Sequence, residues 1–538
     1  MRILVVAPKS TVFPIGIAYI IAVWKRAGHQ VDAINLALTS EWSIAQGQYD
    51  LVATGGLACH YADLRDILSK VRASGVPSIL GGGIVTSEPQ LIATALQPTY
   101  CVLGEGEDGA VELVAALEAG ADISKIAGIG YFRDGAFVMT ESRKAIQSLD
   151  SLPTPDLDAL SFVTIAEHEK PSDSYGLDLF DFPRTYPLVG SRSCPYNCSF
   201  CYHPLGKKYR QRSVDNIIAE LAIVIPKYKI NLIGVVDELF AAQFDRVREF
   251  CQRLKALLAT IPWEVRWSCQ LRVDRLTDEL LATLKDSGCY LVSYGFESYS
   301  PVVLESMKKR IRPDQIRRAV DMTFAQKMSL QANFIFGDKA ETLETAGETL
   351  RFWREYAHAG IFIGFIHPYP NSELYQYCVQ KGIIKDRIDF LENHLSDRIN
   401  MTSMSDLQFF LLTTRAALHT LHYPPCATPK LMEPDRLVVQ CPHCGGENDY
   451  KNYRLFDLGG GIRGRIDRLL LNRVCHCRHC RLRFWSRTRL LRFISTITRP
   501  LSWPGIQQTV FGGLYFAQSA LPFIRKHLAK GTLDKRTS

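Results

Sequence analysis

The chain has 538 residues, 47% apolar side chains, a charged fraction of 22% and a mean hydropathy of −0.03. That balance excludes a disordered chain, and that length exceeds one ordinary core, so three or four folded units are expected. The net charge of +8 is local: residues 481–538 hold eleven Lys/Arg against Asp534, leaving the rest about −2, which excludes a strongly basic catalytic body.

Residues 1–120 alternate short apolar runs with amphipathic stretches. Strands are expected at Ile3–Ala7, Val31–Asn35, Leu51–Thr54, Pro77–Gly81 and Tyr100–Leu103, with helices such as Ile15–Arg26 and Tyr61–Ala73 between them. The opening Met-Arg-Ile-Leu-Val-Val reads as a first strand rather than a targeting segment. This βαβ rhythm predicts a doubly wound parallel sheet, whose ligands bind at the carboxyl ends of strands. Gly55-Gly56, Gly81-Gly82-Gly83 and Gly104-Glu105-Gly106-Glu107 all fall at those ends. Any one of these glycines is explained by turn chemistry alone; together they let a large planar ligand approach the backbone. With Pro14-Ile15-Gly16-Ile17-Ala18-Tyr19-Ile20, they resemble the cobalamin-binding domain that precedes many radical S-adenosylmethionine (SAM) domains. The resemblance implies cobalamin contacts at Gly82, Gly104 and Gly106. The chain departs from the mutase type of that domain, because the loop Pro8–Phe13 has no axial histidine. His60 is read as a polar group at a helix start before it is read as a ligand.

Residues 121–185 hold a hairpin, Gly128–Thr140, turning at Asp134-Gly135, and a Pro/Asp-rich connector at Leu152–Leu160. From Pro187 a second βα series begins, with strands expected at Leu188–Gly190, Leu232–Val236, Glu264–Ser268, Leu291–Gly295, Gln331–Phe336 and Phe362–His367.

Cys194, Cys198 and Cys201 follow the first of these strands in Ser-Arg-Ser-Cys-Pro-Tyr-Asn-Cys-Ser-Phe-Cys-Tyr. Three thiolates at this spacing hold three irons of a [4Fe-4S] cube and leave the fourth iron open, where electron-transfer clusters use four cysteines. The triplet, with Phe200 and Tyr202 beside its last cysteine, resembles the signature of the radical SAM enzymes. Six strands in series suit that family's partial (β/α)6 barrel. The resemblance implies a SAM site built from Tyr202, from Asp237 and Glu238 toward the ammonium, from Arg272 toward the carboxylate, and from Glu297. The loop Gly337–Thr342 lacks the proline that many relatives carry there. His367 and Tyr369, in a Pro-Tyr-Pro segment, either face substrate or serve packing.

Cys441-Pro-His-Cys444 and Cys477-Arg-His-Cys480 form two knuckles with the ligand pattern of a four-cysteine zinc ribbon. Cys475 leaves the ligand choice open, and a second Fe–S cluster is the alternative. Seven of the fifteen cysteines thus fall in metal-type spacings, which predicts a reducing cytoplasm. Beyond the ribbon, Arg481–Arg499 is basic with interleaved Leu, Phe and Trp, and residues 500–524 carry no charge. Three readings of the tail stay open: an interfacial segment on anionic lipid, a nucleic-acid contact, or a helix covering a groove.

The expected organisation is a cobalamin-type domain (1–145), a linker (146–185), a radical SAM partial barrel (186–395), a helical connector (396–435), a zinc-ribbon-like module (436–486) and a basic, apolar tail (487–538). The resemblance implies reductive cleavage of SAM to a 5′-deoxyadenosyl radical and, with cobalamin, C-methylation of an unactivated carbon of a small molecule, lipid or cofactor precursor. The rivals are a cobalamin-independent oxidative cyclase and an enzyme gripping RNA or protein through the ribbon and tail. The tRNA methylthiotransferases fail as a match, because only Cys59 and Cys101 occur in the N-terminal domain, where those enzymes carry three cysteines. The expected partners are a small-molecule or lipid substrate, a flavodoxin- or ferredoxin-type electron donor and a peripheral membrane contact, with nucleic acid disfavoured.

Overall fold

β-Strand β1 (Arg2–Ala7) sends Ile3, Val5 and Ala7 to one side of the N-terminal sheet and Leu4 and Val6 to the other, and all five are buried. Such two-faced burial is the mark of a sheet covered by helices on both sides. This computed structural model describes residues 1–171, 179–453, 468–502, 506 and 510. The chain divides into two compact units. The first draws on 1–174, 182–293 and 367–397, and the second on 175–181, 294–366 and 398–538.

In the first unit, β1 is joined by β2 (Gln30–Asn35), β3 (Leu51–Gly55), β4 (Ser78–Gly81), β5 (Tyr100–Val102), β6 (Ile129–Arg133) and β7 (Ala136–Met139), in the order β2-β1-β3-β4-β5-β6-β7. The first five are parallel, as expected, and the hairpin β6–β7 continues the sheet antiparallel. Helices Ile15–Arg26 and Gly106–Ala119 cover one face, where Trp24 Nε1 donates to the Ala110 carbonyl at 3.0 Å. Tyr61–Ser74 and Pro89–Leu96 cover the other through Leu64, Leu68 and Ile92.

The expected linker is a packed belt. Leu149, Leu157, Leu160 and Phe162 are buried, and the Phe162 ring meets Phe13, Tyr186 and Tyr228 edge-on. Residues 172–178 of that stretch lie outside the described residues. Then β8 (Thr185–Leu188), β11 (Leu232–Val235) and β12 (Arg266–Leu271) pair in parallel. The strand β8 ends two residues short of the expected Gly190, whose N–H donates to the Asp237 side chain and not to a neighbouring strand. The short ladder of β9 (Ser191–Arg192) with β10 (Arg210–Gln211) closes the loop between them.

The chain leaves the first unit along β13 (Cys289–Glu297). In the second unit β14 (Ser329–Phe336) and β15 (Ile361–Phe365) are parallel, and helix Asp406–His422 packs Phe409 and Leu412 against Phe336 and Leu350. Two small sheets follow. One orders β16 (Cys426–Ala427), β21 (Arg483–Arg487) and β20 (Asn472–His476), and the other orders β17 (Leu431–Glu433), β18 (Arg436–Gln440) and β19 (Glu447–Lys451). The ribbon module therefore begins about ten residues earlier than the expected 436. Helix Arg489–Ile497 and a 3-10 turn, Arg499–Ser502, follow, and most of the uncharged stretch 500–524 lies outside the described residues.

Candidate active site

Cys194, Cys198 and Cys201 lie in the loop that the β9–β10 ladder brackets. Ser193, at φ 68°, turns the chain into it, and Cys201 N–H donates to the Cys198 carbonyl at 3.1 Å. Leu374 N–H donates to the Ser199 carbonyl at 2.9 Å, so the returning segment after β15 holds the loop from outside. All three cysteines are half-buried. Among the described residues, the one group of His, Cys, Asp or Glu ligand atoms closed to within 4.8 Å is the ribbon set below.

Of the two acids after β11, only Glu238 is presented to solvent, about a third exposed and 3.1 Å from His203 Nδ1. Asp237 is buried, with Oδ1 accepting from Gly190 N–H and Oδ2 from Ser191 Oγ, each at 2.7 Å. Burial pushes its pKa up to about 6 against the pull of those hydrogen bonds. Asp237 thus staples the end of β11 to the start of the cysteine loop. Arg272 forks onto Asp274, with Nε and Nη2 at 3.0 and 3.2 Å, and its guanidinium carbon lies 3.6 Å from the Tyr196 ring centroid. Glu297 belongs to the second unit, where its Oε1 accepts from Lys309 Nζ at 2.7 Å.

A cavity of about 500 Å³ lies wholly within the first unit. Its wall comes from the strand-end loops: Phe13 after β1, Leu57 and His60 after β3, Gly81–Gly83 after β4, and Gly104–Glu107 after β5. The cysteine loop adds Arg192, Ser193 and Leu205, and β11 adds Val236 and Glu238. Space favours glycine at two of these positions, most strictly at Gly82, whose neighbour is backbone. A Cβ on Gly82, which has φ 90°, would sit 2.7 Å from the Gly56 carbonyl oxygen, and one on Gly83 would strike Tyr202 Oη. Tyr202 leans onto that loop and accepts from Ser87 Oγ at 2.9 Å, and burial raises its pKa to about 12. Gly104, at φ 78°, and Gly106, whose Cβ would meet Ile20 at 3.0 Å, complete a smooth wall of backbone and aliphatic carbon. That wall fits the flat corrin expected from the sequence. His60 Nδ1 accepts from Leu57 N–H at 3.1 Å, so Nε2 carries the proton of the neutral ring and His60 is the polar group of a helix start.

Sequence reasoning missed what binds the cavity together. Arg192 Nη1 donates to Glu105 at 3.0 Å and Nη2 to Glu107 at 2.5 Å. Arg210 Nη1 donates to the second oxygen of Glu105 at 2.7 Å, which also accepts from Ile146 N–H at 2.7 Å. Glu105, Glu107 and Arg210 are buried. The signal was in plain view, as two acids inside a glycine-rich loop and an arginine two residues before Cys194. A parallel tie forms where Glu88 accepts from Tyr375 Oη at 2.9 Å and from Arg387 at 2.6 Å. His367 and Tyr369 do not line the cavity.

In the second unit, Cys441 and Cys480 sulfurs are 3.8 Å apart, and those of Cys444 and Cys477 3.7 Å. Four thiolates at ~2.3 Å around a tetrahedral zinc stand roughly 3.8 Å from one another, so the set fits that ion. Gly445, at φ 73°, and Arg481, at φ 65°, make the knuckle turns, each N–H reaching the first cysteine's carbonyl at 3.0 Å. Cys475 is buried in β20 outside the group, which leaves four ligands. His443 and His479 are committed to the carbonyls of Arg483 and Glu447.

A radical SAM superfamily model matches residues 188–352, and a B12 binding domain model matches residues 1–114. An uncharacterized methyltransferase of Pyrococcus horikoshii is 31% identical over 311 residues, 57% of this chain and 64% of that protein, so the match spans just under two thirds of the relative's length. An anaerobic magnesium-protoporphyrin IX monomethyl ester cyclase of Rubrivivax gelatinosus is 27% identical over 392 residues, 69% of this chain and 67% of that one. Among solved structures, the radical S-adenosylmethionine methyltransferase TsrM from Kitasatospora setae, with cobalamin and [4Fe-4S] cluster bound, superposes with a TM-score of 0.56. It is 17% identical and covers 70% of this chain and 75% of that one, a likeness of fold.

Proposed function

We propose that the chain, which matches a radical SAM superfamily model over residues 188–352 and a B12 binding domain model over residues 1–114, is a cobalamin-dependent methyltransferase acting on an unactivated carbon. The substrate class is a small molecule, lipid or cofactor precursor, and the electron donor is of flavodoxin or ferredoxin type in a reducing cytoplasm. What carries this reading is the single cavity whose wall joins the glycine loops of the B12 binding domain to Arg192 and Ser193 of the cysteine loop.

When bound, the cluster supplies an electron to SAM, and the corrin supplies a methyl carrier. The chain's own residues do the rest. Cys194, Cys198 and Cys201 would hold the cluster, which would bind the amino acid end of SAM. Glu238 is the acid placed for the ammonium, while Asp237 acts behind it by fixing Gly190 and Ser191. Arg272 and Glu297 are proposed SAM contacts, and Arg272 would have to share its fork with Asp274. Leu57, Phe13 and Val236 keep the shared cavity apolar, which limits water near a reactive carbon.

The test is the anaerobic protein with cobalamin supplied. Metal analysis is expected to give about four irons, one zinc and one cobalt per chain. Methyl-labelled SAM is then expected to deliver label into a product alongside 5′-deoxyadenosine. Cobalt absent, or 5′-deoxyadenosine formed with no label transferred from any substrate class, would replace this reading with an oxidative cyclase.

A further inference from the structure

Helix Arg489–Ile497 is amphipathic in an unusual sense: its apolar stripe faces outward. Leu490, Phe493 and Ile497 fall on one side and are 43, 62 and 58% exposed. The opposite side holds the helix to the body of the second unit. Leu491 is buried there, Ser495 Oγ donates to the Leu421 carbonyl at 3.0 Å, and Thr498 Oγ1 lies 3.0 Å from His422 Nε2. The helix is therefore docked, and the stripe is what docking leaves uncovered. Thr488 caps the first turn and donates to the Leu469 carbonyl at 2.6 Å, which brings exposed Leu469 and Leu470 to the start of the same stripe.

We propose that this helix is an interfacial anchor that lays Leu490, Phe493 and Ile497 into an anionic lipid surface, with Arg489, Arg492 and Arg499 at the headgroups. Three observations favour lipid as the occupant. Arg489, Arg492 and Arg499 are exposed, with Arg492 Nη1 donating to Thr428 Oγ1 at 3.0 Å and Arg499 lying over the Tyr423 ring, and no acid occurs in sequence between Arg481 and Leu533. A strongly apolar face beside a cationic one is the composition of a helix lying in the membrane plane. The next 25 residues, 500–524, carry no charged side chain, so the sequence continues the apolar character where the helix ends. Among the described residues no helix is long and apolar enough to cross a membrane. A nucleic acid would use the arginines but gain nothing from exposed Leu and Ile, since stacking needs aromatic faces.

The experiment is flotation of the full-length, anaerobically purified protein with vesicles of phosphatidylcholine alone or mixed with phosphatidylglycerol. We expect flotation with the anionic vesicles, severalfold less with the neutral ones, and a fall as salt rises. The combined Leu490→Ser, Phe493→Ser, Ile497→Ser variant should lose about tenfold or more of the bound fraction. Arg489→Gln with Arg492→Gln should lose the anionic preference while keeping weak apolar binding. Unchanged zinc content and circular dichroism would show that each variant is folded. The proposal falls if no vesicle floats the protein, or if the serine variant floats as well as the parent. It falls equally if the stripe instead mediates a dimer, seen as a mass shift lost in the serine variant, or if the protein binds polyuridylic acid and not lipid. None of these readouts involves SAM cleavage, so their failure is separate from failure of the methyltransferase reading.

Discussion

Arg192 carries more of the site than any residue that touches only one element. Its guanidinium is bonded to Glu105 and Glu107, and its own chain position is two residues from Cys194. In a buried network each partner's charge is tolerable only because the other is present, and removing one side of such a pair costs about 3–5 kcal/mol. Arg192→Met should therefore lower unfolding stability in denaturant by that amount. Glu107→Gln placed in the Arg192→Met background should return part of it, because the uncompensated carboxylate is gone. Independent, additive effects of the two substitutions would show that the pair is not coupled. Asp237 and Glu238 teach the complementary lesson. Adjacent in sequence, they read as equivalent acids, and burial alone separates a staple from an exposed carboxylate.

The ribbon is the element whose stability is most clearly external to its own core. Leu437, Val439, Tyr450, Tyr453 and Phe484 pack around the cysteines, a small cluster for a module of this length. Binding free energy of a structural zinc is folding free energy. Cys444→Ser should cut zinc to well under one per chain and raise protease sensitivity within 430–490, whereas Cys475→Ser should leave zinc unchanged. Equal zinc loss from both variants would return Cys475 to the ligand set. Iron retained after Cys194, Cys198 and Cys201 are all replaced would make the ribbon a cluster site. The knuckles were legible because ligand spacing and a following glycine are local signals. The ribbon's true start was not. Its first strand, Cys426–Ala427, is two residues long, and only pairing with Trp485 and Ser486, almost sixty residues later, makes it a strand. The same logic runs through the fold. The first five strands were visible as short apolar runs bounded by turn residues, and the helix Ile15–Arg26 as an amphipathic stretch. The hairpin's membership in the sheet rests on Tyr100 facing Tyr131, which no local pattern encodes.

At the scale of the molecule, three stretches distant in sequence hold one another, and two of them line one cavity. The N-terminal sheet reaches the cysteine loop through Glu105 and Glu107, and the loop answers with Tyr202 on Gly83. The segment after β15 reaches both, through Tyr375 and Arg387 on Glu88 and through Leu374 on Ser199. A ligand that binds only the folded cavity stabilises whatever must be folded to form it, by RT ln(1 + [L]/Kd). If these ties make one cooperative unit, cobalamin should slow amide exchange at Gly82–Glu107, where it touches the wall, and also at 191–212 and 372–388. Ribbon amides at 436–451, in the second unit, should be unaffected by cobalamin and should exchange faster on chelation of zinc. Exchange measured on the full anaerobic chain, with and without hydroxocobalamin, separates the cases. Protection confined to Gly82–Glu107 would mean that the buried ion pairs position the cysteine loop without sharing its opening equilibrium. Protection at all three would mean that loading the corrin cradle also orders the loop that must hold the cluster.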